Sequence, residues 1–268
     1  MKKRIITWML MLCILSAVGP CAGAISLTVD SRAVSVPIVV RNNTSYVPLR
    51  AVTNLLYPRA TVSWVNNEAV VTSSNLTLTA HPGECYLTAN GRELYIKDGV
   101  KLINGSTMVP IRVLAKALGA SVTWNSATDQ VLVTRGSGTI IAGDQYYDSS
   151  SVYWLSRIIY AESGNEPFLG KIAVGNVILN RVKSTEFPNS IYDVIFDTKW
   201  GIQFEPVANG TIYNTPNEDC ILAAKLCLDG ASVVGNCLYF LDPLKAENLW
   251  TVKNCTYVAT IGNHQFYL

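Results

Sequence analysis

The first half of the chain is organised by a repeated pattern of alternating apolar and polar positions. Residues 27–36 (LTVDSRAVSV) match residues 87–96 (LTANGRELYI), and residues 47–56 (VPLRAVTNLL) match residues 109–118 (VPIRVLAKAL). Each unit then reaches a tryptophan in an alternating segment, ATVSWVNNEAVV in the first and ASVTWNSATDQVLV in the second. Alternation predicts short strands, and proline early in the VP(L/I)R segment predicts the first turn of a helix. The two units predict one β-rich domain over residues 25–134.

The pattern changes after residue 134. Residues 135–151 (RGSGTIIAGDQYYDSSS) are rich in Gly, Ser and Asp and show no sustained period, which is typical of a linker. Two helical patterns follow, SVYWLSRIIYAESG and then PFLGKIAVGNVILNRV, and the second is apolar on nearly every side. We therefore expect a second domain over residues 152–268 with this second helix at its centre. The predicted fold class of the whole chain is α+β.

The first 24 residues have the pattern of a secretory signal peptide. Lys2, Lys3 and Arg4 precede an apolar run from Ile5 to Val18, and Ala22-Gly23-Ala24 resembles a cleavage site. The apolar run is shorter than the roughly 20 residues that a membrane span needs. An uncleaved anchor or a lipid on Cys21 stays open as an alternative. We expect a secreted protein without a membrane segment after cleavage.

Charge and cysteine content narrow the function further. Without the three basic residues of the signal, 18 Lys and Arg face 19 Asp and Glu, so nucleic acid is not an expected partner. Five cysteines remain after the signal, so at least one thiol stays free or pairs between chains. Cys237 and Cys255, in apolar strand-like runs, form the best candidate pair for a disulfide.

Glu162 is the leading candidate for catalysis. Leu155, Ile158, Ile159 and Glu162 follow the i, i+3, i+4, i+7 spacing of one helix face, so the glutamate continues an apolar stripe. A carboxyl group among aliphatic side chains has a raised pKa and can act as a general acid near neutral pH. The alternative is that Glu162 bends out to water at the end of the helix.

Glu166 has a sufficient structural explanation. Gly164 is expected to end the first helix, and Asn165 to cap the next one with Glu166 in its first turn. The helix dipole favours an acid there. Glu166 is therefore a secondary candidate.

The repeated VP(L/I)R…W motifs resemble the copper amine oxidase N-terminal-like domain of secreted bacterial wall proteins. The resemblance does not imply copper here, because His81 is the domain's one histidine and redox copper sites use several His, Cys or Met ligands. Arg50 and Arg112 are expected to be structural. No metal and no cofactor is predicted, and residues 25–134 are expected to attach the protein to the wall or to a partner protein.

Several short blocks in the second half occur in the order of a known family. YAESGNEP, GKIAVGNVILNRV, FPNSIYDVI, QF, TPNE, LYF and IGNHQFY together resemble the catalytic domain of the SleB/CwlJ cell-wall hydrolases, the spore-cortex-lytic family. The resemblance implies a lysozyme-like α+β domain that acts on peptidoglycan glycan strands. It implies Glu162 as the catalytic acid and lytic transglycosylation between N-acetylmuramic acid and N-acetylglucosamine. It also implies a location in the cell wall or the coat and cortex region of a spore, with a role in cortex lysis at germination.

The remaining candidate residues fall in or beside these family-like blocks. Aromatic rings suit the flat C–H faces of sugars, although core packing explains each of them as well. Asn180 either braces a loop or lines the cleft, His264 is expected to be a hydrogen-bonded brace, and Glu205 is the strongest candidate for a second carboxylate. The residues assigned to substrate binding are Gln203, Phe204, Tyr213, Tyr239, Phe240 and Glu166.

Other function classes are less well supported. A zinc peptidase is disfavoured because the second domain has one histidine, His264. A Cys–His wall peptidase would pair His264 with a cysteine, but no cysteine has a recognisable activating context. A non-catalytic wall-binding protein would have no use for a protonated Glu162. The sequence does not decide between hydrolysis and transglycosylation as the reaction. It also does not decide between spore cortex and vegetative wall as the substrate.

Overall fold

The computed structural model describes residues 25–199, 201–246 and 249–268. The predicted signal peptide, residues 1–24, lies outside this part of the chain. Within the described residues, no helix has both the length and the apolar character that crossing a bilayer requires.

Short strands with one helix per repeat make up the first half. Both helices begin directly after the proline of the VP(L/I)R motif, so Pro48 and Pro110 are the N-cap residues and do not lie in the first turn as expected. The elements are β1 (Ser26–Val29), β2 (Arg32–Val34), β3 (Val39–Arg41), β4 (Thr44–Pro48), α1 (Leu49–Leu56), β5 (Thr61–Val65), β6 (Glu68–Ser73), β7 (Leu76–Ala80), β8 (Tyr86–Ala89), β9 (Arg92–Tyr95), β10 (Lys101–Ile103), β11 (Ser106–Pro110), α2 (Ile111–Ala117), β12 (Ser121–Asn125) and β13 (Gln130–Thr134).

The two repeats exchange strands and so form one unit. One sheet has the order β12-β13-β1-β2, in which β1 of the first repeat runs parallel to β13 of the second. A second sheet, β10-β11-β4-β3, joins the repeats through antiparallel pairing in which Val47 lies opposite Val109. The third sheet has the order β5-β6-β7-β8-β9. A single apolar core that includes Val47, Leu78, Val109 and Leu114 fills the space between the sheets and the two helices.

The tight turns of the hairpins explain many of the asparagines of this half. Asn66 and Asn67 link β5 to β6 with φ angles of 50° and 63°, and Asn90 and Gly91 link β8 to β9 with 48° and 75°. Positive φ at both central positions is the type I′ geometry, which matches the twist of paired strands and favours Asn and Gly. These turns fix the register of the strands.

Helices dominate the second half. The two predicted helices are confirmed as α4 and α5, and α3 together with the first turn of α4 lies in the segment predicted to be a linker. A separate apolar core forms where α4, α5 and α8 pack together. The predicted α+β class is confirmed. The elements are α3 (Gly143–Tyr146), α4 (Ser149–Ser163), α5 (Phe168–Lys183), α6 (Ile191–Ile195), α7 (Glu205–Asn209), a 3-10 turn (Thr211–Tyr213), α8 (Glu218–Leu228), β14 (Tyr239–Leu241), α9 (Trp250–Asn254), β15 (Tyr257–Ile261) and β16 (His264–Tyr267), with the sheet order β14-β16-β15.

A buried ion pair joins the two halves. Both oxygens of the Asp229 carboxylate accept hydrogen bonds from Arg92, each at 2.8 Å, and Lys116 forms a further ion pair with Asp229. The Asp229 side chain is 1% exposed. Tyr86 and Tyr95 of the first half also pack against the apolar core of the second. Charge and apolar contacts therefore hold the β-rich half against the helical half.

All five cysteines in the described residues are free thiols, so the expected pairing of Cys237 with Cys255 is wrong. Cys237 is fully buried just before β14, whereas Cys255 follows α9 and is partly exposed. The apolar runs in which the two residues lie reflect core and strand packing.

Candidate active site

Glu162 lies in the last turn of α4, on the face that carries the core. Leu155, Ile158 and Ile159 on that face are completely buried, and Glu162 itself is partly buried. Burial and, to a smaller extent, the charge of Glu205 raise the pKa of Glu162 against the opposing charge of Arg181, and the pKa reaches about 7. The side chain does not extend into open water. Near neutral pH, Glu162 is protonated in a large fraction of the molecules.

A buried guanidinium accompanies this acid. Arg181, near the end of α5, is 6% exposed, and its Nε donates a hydrogen bond to the Leu238 carbonyl at 2.8 Å. Its Nη1 is buried without a hydrogen-bond partner among the described residues. Burial lowers the pKa of Arg181, the neighbouring groups Tyr239, Asp197 and Glu162 oppose this effect, and the pKa is about 10. At pH 7 Arg181 is thus a cation that acts on Glu162 from a poorly solvated position.

Aromatic rings surround the Arg181 guanidinium. Its Cζ atom lies 4.8 Å from the ring centroid of Phe187, 5.3 Å from that of Phe204 and 5.6 Å from that of Tyr239. Phe204 also stacks on Phe240 at 6.5 Å between centroids. Two aromatic candidates from the sequence, Phe204 and Tyr239, thus lie around Arg181, and a third, Phe240, stacks on Phe204. Sequence reasoning did not select Arg181 or Phe187. We name Glu162, Arg181, Glu205, Phe204 and Tyr239 the Glu162 site.

Glu205, the candidate for a second carboxylate, acts electrostatically on Glu162. It is the first residue of α7 and is exposed, and its charge is one of the causes of the raised pKa of Glu162. A negative charge at the start of a helix is favoured by the helix dipole. The structure thus pairs an acid with a raised pKa with a neighbouring solvated carboxylate.

Gln203 and Tyr213, two further predicted substrate-binding residues, have other contacts. The Gln203 side-chain amide donates a hydrogen bond to the Gly201 carbonyl at 3.0 Å, which is a local contact. Tyr213 is 61% exposed and lies edge-on to Trp154, with 6.3 Å between ring centroids. Trp154 in turn contacts Tyr192 and Phe196, so a second aromatic surface forms beside α4. Trp154 lies on the helix that carries Glu162, and its position there is the signal that sequence reasoning overlooked.

Glu166 braces a turn of the sheet. Its carboxylate accepts hydrogen bonds from the backbone N–H of Asn263 at 2.9 Å and from the Asn263 side chain at 2.8 Å. Burial alone would raise the pKa of Glu166, but these hydrogen bonds outweigh it and the pKa is lowered. The expectation that Asn165 caps α5 is wrong: α5 begins at Phe168 with Pro167 as its N-cap, because the chain turns before the helix starts.

The asparagines of α5 and His264 have supporting contacts. Asn176 binds the Ala231 carbonyl and the Val233 N–H, and Asn180 donates to the carbonyls of Gly235 and Cys237. These bonds match the loop-bracing alternative for Asn180.

His264 is buried edge-on against Phe240, and burial lowers its pKa. Its Nδ1 has no hydrogen-bond partner among the described residues, so no brace is formed through that atom.

The cysteines do not have the properties of a peptidase nucleophile. Cys220, Cys227 and Cys237 are buried, Cys255 is partly exposed, and burial raises the pKa of all four thiols. A thiolate is the reactive form, and a raised pKa disfavours it.

In the described part of the chain, no three His, Cys, Asp or Glu side chains come together as the ligands of a metal ion would.

Comparison with known families defines the class of each half. Residues 165–267 match the cell wall hydrolase family, and residues 28–133 match the copper amine oxidase N-terminal domain. Both resemblances drawn from the sequence are confirmed: the chain carries a cell wall hydrolase domain preceded by a copper amine oxidase N-terminal-like domain. Glu162 lies just before the matched range of the hydrolase family.

Individual relatives make the similarity more specific. The chain is 38% identical over 120 residues to a spore cortex-lytic enzyme of Bacillus cereus, covering 45% of this chain and 45% of that protein. It is 33% identical over 120 residues to the spore cortex-lytic enzyme of Bacillus subtilis, covering 38% of that protein. The chain therefore spans less than half the length of these curated relatives.

Solved structures of the same kind are also similar in sequence. The catalytic domain of the germination-specific lytic transglycosylase SleB from Bacillus anthracis is 37% identical, with 46% of this chain and 97% of that chain covered and a TM-score of 0.42. The catalytic domain of the Bacillus cereus SleB protein is 38% identical, with 92% of that chain covered and the same TM-score.

Proposed function

We propose that the second half of the chain cleaves the glycan strand of peptidoglycan between N-acetylmuramic acid and N-acetylglucosamine, with Glu162 as the catalytic acid. The observation that carries this proposal is the raised pKa of Glu162, about 7, in a partly buried position beside a second carboxylate. A general acid works best when its pKa lies near the working pH. The cell wall hydrolase match and the cortex-lytic relatives support glycan cleavage as the reaction class.

The proposed chemistry is lytic transglycosylation, for which one carboxyl group is sufficient. Protonated Glu162 donates its proton to the glycosidic oxygen while the bond from that oxygen to C1 of the muramic acid breaks. The resulting carboxylate then accepts the proton of the C6 hydroxyl of the same sugar, whose oxygen bonds to C1. The product has an internal anhydro ring, no water is consumed, and Glu162 returns to its protonated form.

Arg181 and Glu205 set the electrostatics of this cycle. Glu205 favours the protonated form of Glu162 before the reaction, because two negative charges repel each other. Arg181 favours the carboxylate that forms when Glu162 has given up its proton. Phe204 and Tyr239 beside the guanidinium keep water away from this charge pair, which strengthens its interaction.

The substrate that fits the relatives is spore cortex. Several curated relatives of the hydrolase half are spore cortex-lytic enzymes. We infer a role in cortex lysis at germination and a location in the cell wall or the coat and cortex region of a spore. The repeat half would hold the enzyme on this insoluble polymer.

Digestion of purified sacculi tests the proposal. Full-length protein is incubated with cortex and with vegetative sacculi, and the soluble fragments are analysed by mass spectrometry. We expect cortex fragments with anhydro ends, each lighter by one water than a hydrolysed end. Glu162→Gln, which keeps the size of the side chain, should lower the cleavage rate by about 10²- to 10⁴-fold.

Different outcomes separate the alternatives. Fragments with reducing ends would show that the reaction is hydrolysis and not transglycosylation, with Glu205 as the base or nucleophile. Cleavage by Glu162→Gln at the rate of the unmodified protein would overturn the role of this residue. Binding to sacculi without any cleavage by the unmodified protein would indicate a wall-binding protein.

A further inference from the structure

The two repeats present two grooves that are built in the same way. In the first repeat the Arg50 side chain donates to the Val62 carbonyl at 2.5 Å, and in the second repeat Arg112 donates to the Val122 carbonyl at 3.1 Å. Each arginine lies in a groove beside an exposed tryptophan of the following strand. This tryptophan is Trp64 in the first repeat, 49% exposed, and Trp124 in the second, 42% exposed.

The strand exchange completes this symmetry. Residues 105–107 of the second repeat line the groove of the first, and residues 43–45 of the first repeat line the groove of the second. The two grooves are therefore equivalent products of one duplicated sequence. Differences between them come from substitutions within the repeats and from parts of the chain outside them.

The grooves differ greatly in size. The Trp64 groove encloses about 200 Å³, whereas the Trp124 groove encloses about 910 Å³. The additional walls of the larger groove include Tyr95 at the end of β9, Lys97 just after it, and Gly230 and Ser232 from the loop after α8. The hydrolase half thus contributes directly to the Trp124 groove.

The position of this added wall is well defined. Gly230 directly follows Asp229, whose carboxylate is held by Arg92 and Lys116. The ion pair that joins the halves therefore also fixes the wall of the Trp124 groove. A groove of several hundred Å³ is in the size range of small-ligand sites.

The lining of the Trp124 groove is mostly apolar and also contains an exposed indole and cationic side chains. Its described lining residues include the two cations Lys97 and Arg112 and no carboxylate. An exposed indole suits the C–H face of a sugar ring, and Lys97 suits a carboxylate. A ligand that combines both features has a sugar ring with an acidic substituent close to it.

We propose that the Trp124 groove binds a peptide-bearing glycan segment of peptidoglycan, with a sugar on Trp124 and a stem-peptide carboxylate at Lys97. This assignment rests on the proposed function, since it takes the wall polymer as the partner. It places a second binding site for that polymer at the junction of the two halves. The Trp64 groove, with the same motif and less space, does not bind the ligand and serves as an internal control.

Retention on sacculi tests this site in full-length Glu162→Gln protein, which stays bound without cleaving. We expect Trp124→Ala to weaken the apparent Kd for sacculi by about tenfold, the usual effect of losing one aromatic anchor. Trp124→Tyr should restore much of the binding, because a ring is kept. Trp64→Ala should stay within about twofold of the parent. Lys97→Glu should weaken binding to sacculi but not to chitin, which has no carboxylate.

Three results would overturn the site: unchanged retention with Trp124→Ala, equal losses with Trp124→Ala and Trp64→Ala, or no effect of Lys97→Glu on sacculi. The test is independent of catalysis, because every variant carries the Glu162→Gln substitution. If the unmodified protein does not cleave sacculi but the retention pattern holds, the proposed activity fails and the groove assignment stands. If cleavage occurs and the pattern is absent, only the groove assignment fails.

Discussion

Glu162 and Arg181 are oppositely charged partners in a poorly solvated part of the hydrolase half, and each acts on the pKa of the other. Burial raises the pKa of Glu162 to about 7, and Arg181 opposes that rise. Burial lowers the pKa of Arg181 to about 10, and Glu162 is among the groups that oppose that fall. The charge of Glu205 adds to the effect of burial, so the pKa of Glu162 responds to two neighbouring charges of opposite sign, and either charge can be removed by substitution.

Removal of the positive charge at position 181 should move the pH profile of cleavage upward. Glu162 must be protonated to act as an acid, so activity falls as the pH rises through its pKa of about 7. Arg181→Gln destabilises the carboxylate, which raises the pKa of Glu162. We expect the alkaline limb of kcat/KM against pH to shift to higher pH, together with a lower maximal rate because the carboxylate product loses its counter-charge.

Arg181→Lys is the matched control for this shift. Both variants lose the guanidinium and its hydrogen bond to the Leu238 carbonyl, but only Arg181→Gln loses the charge. The lysine variant should keep its alkaline limb close to that of the unmodified protein. Equal shifts in both variants would show that packing and not charge is responsible.

Substitution of the neighbouring carboxylate should have the opposite effect. The charge of Glu205 is one of the causes that raise the pKa of Glu162. Glu205→Gln removes this repulsion, so the pKa of Glu162 falls and the alkaline limb of the pH profile moves to lower pH. Glu218→Gln is a suitable control, since Glu218 starts α8 much as Glu205 starts α7 and does not act on Glu162. A profile that stays in place with Glu205→Gln would contradict the electrostatic coupling.

Glu162 should also reduce the stability of the folded protein at high pH. The ordinary pKa of 4.5 is raised to about 7 in the folded state, so folding becomes less favourable as the pH rises between these values. The loss is nearly complete by about pH 8 and amounts to roughly 3 kcal/mol. We expect Glu162→Gln to unfold at a higher temperature than the unmodified protein at pH 8, and at nearly the same temperature at pH 4. Calorimetric scans at both pH values measure this, and an equal difference at the two pH values would contradict it.

The local periodicity of the sequence was sufficient to predict the environment of Glu162. Leu155, Ile158 and Ile159 share a helix face with it, and burial of that face follows directly from their spacing. The internal repeat likewise predicted a single β-rich unit, because two copies of one pattern have the same strands and helix. These features depend on residues close in the chain, which a sequence displays directly.

Contacts between distant residues were not predictable in this way. Arg181 near the end of an apolar helix has an ordinary explanation in the helix dipole, and its role depends on rings from three other segments. The size difference between the two grooves depends on a loop of the other half, which no repeat pattern describes. The incorrect Cys237–Cys255 pairing has the same origin, since apolar runs do not reveal which strands meet.

The ion pair between Arg92 and Asp229 joins residues 137 positions apart and leads to the last prediction. Asp229→Ala leaves the Arg92 guanidinium buried without its counter-charge, and such a loss typically costs about 3–5 kcal/mol. The two halves also lose the contact that fixes Gly230 in the Trp124 groove. We therefore expect a large fall in the unfolding temperature and, in the Glu162→Gln background, weaker retention on sacculi.

Two further variants show whether a buried charge is responsible. Arg92→Met combined with Asp229→Ala removes both charges, so it should recover much of the stability lost in Asp229→Ala alone. Lys245→Ala breaks a surface ion pair with Asp242 at 3.2 Å, in which the lysine side chain is 82% exposed, and should leave the unfolding temperature nearly unchanged. If Asp229→Ala were as mild as Lys245→Ala, the junction between the halves would not depend on this ion pair. The wall that the hydrolase half adds to the Trp124 groove would then depend on other contacts between the halves, such as the apolar packing of Tyr86 and Tyr95.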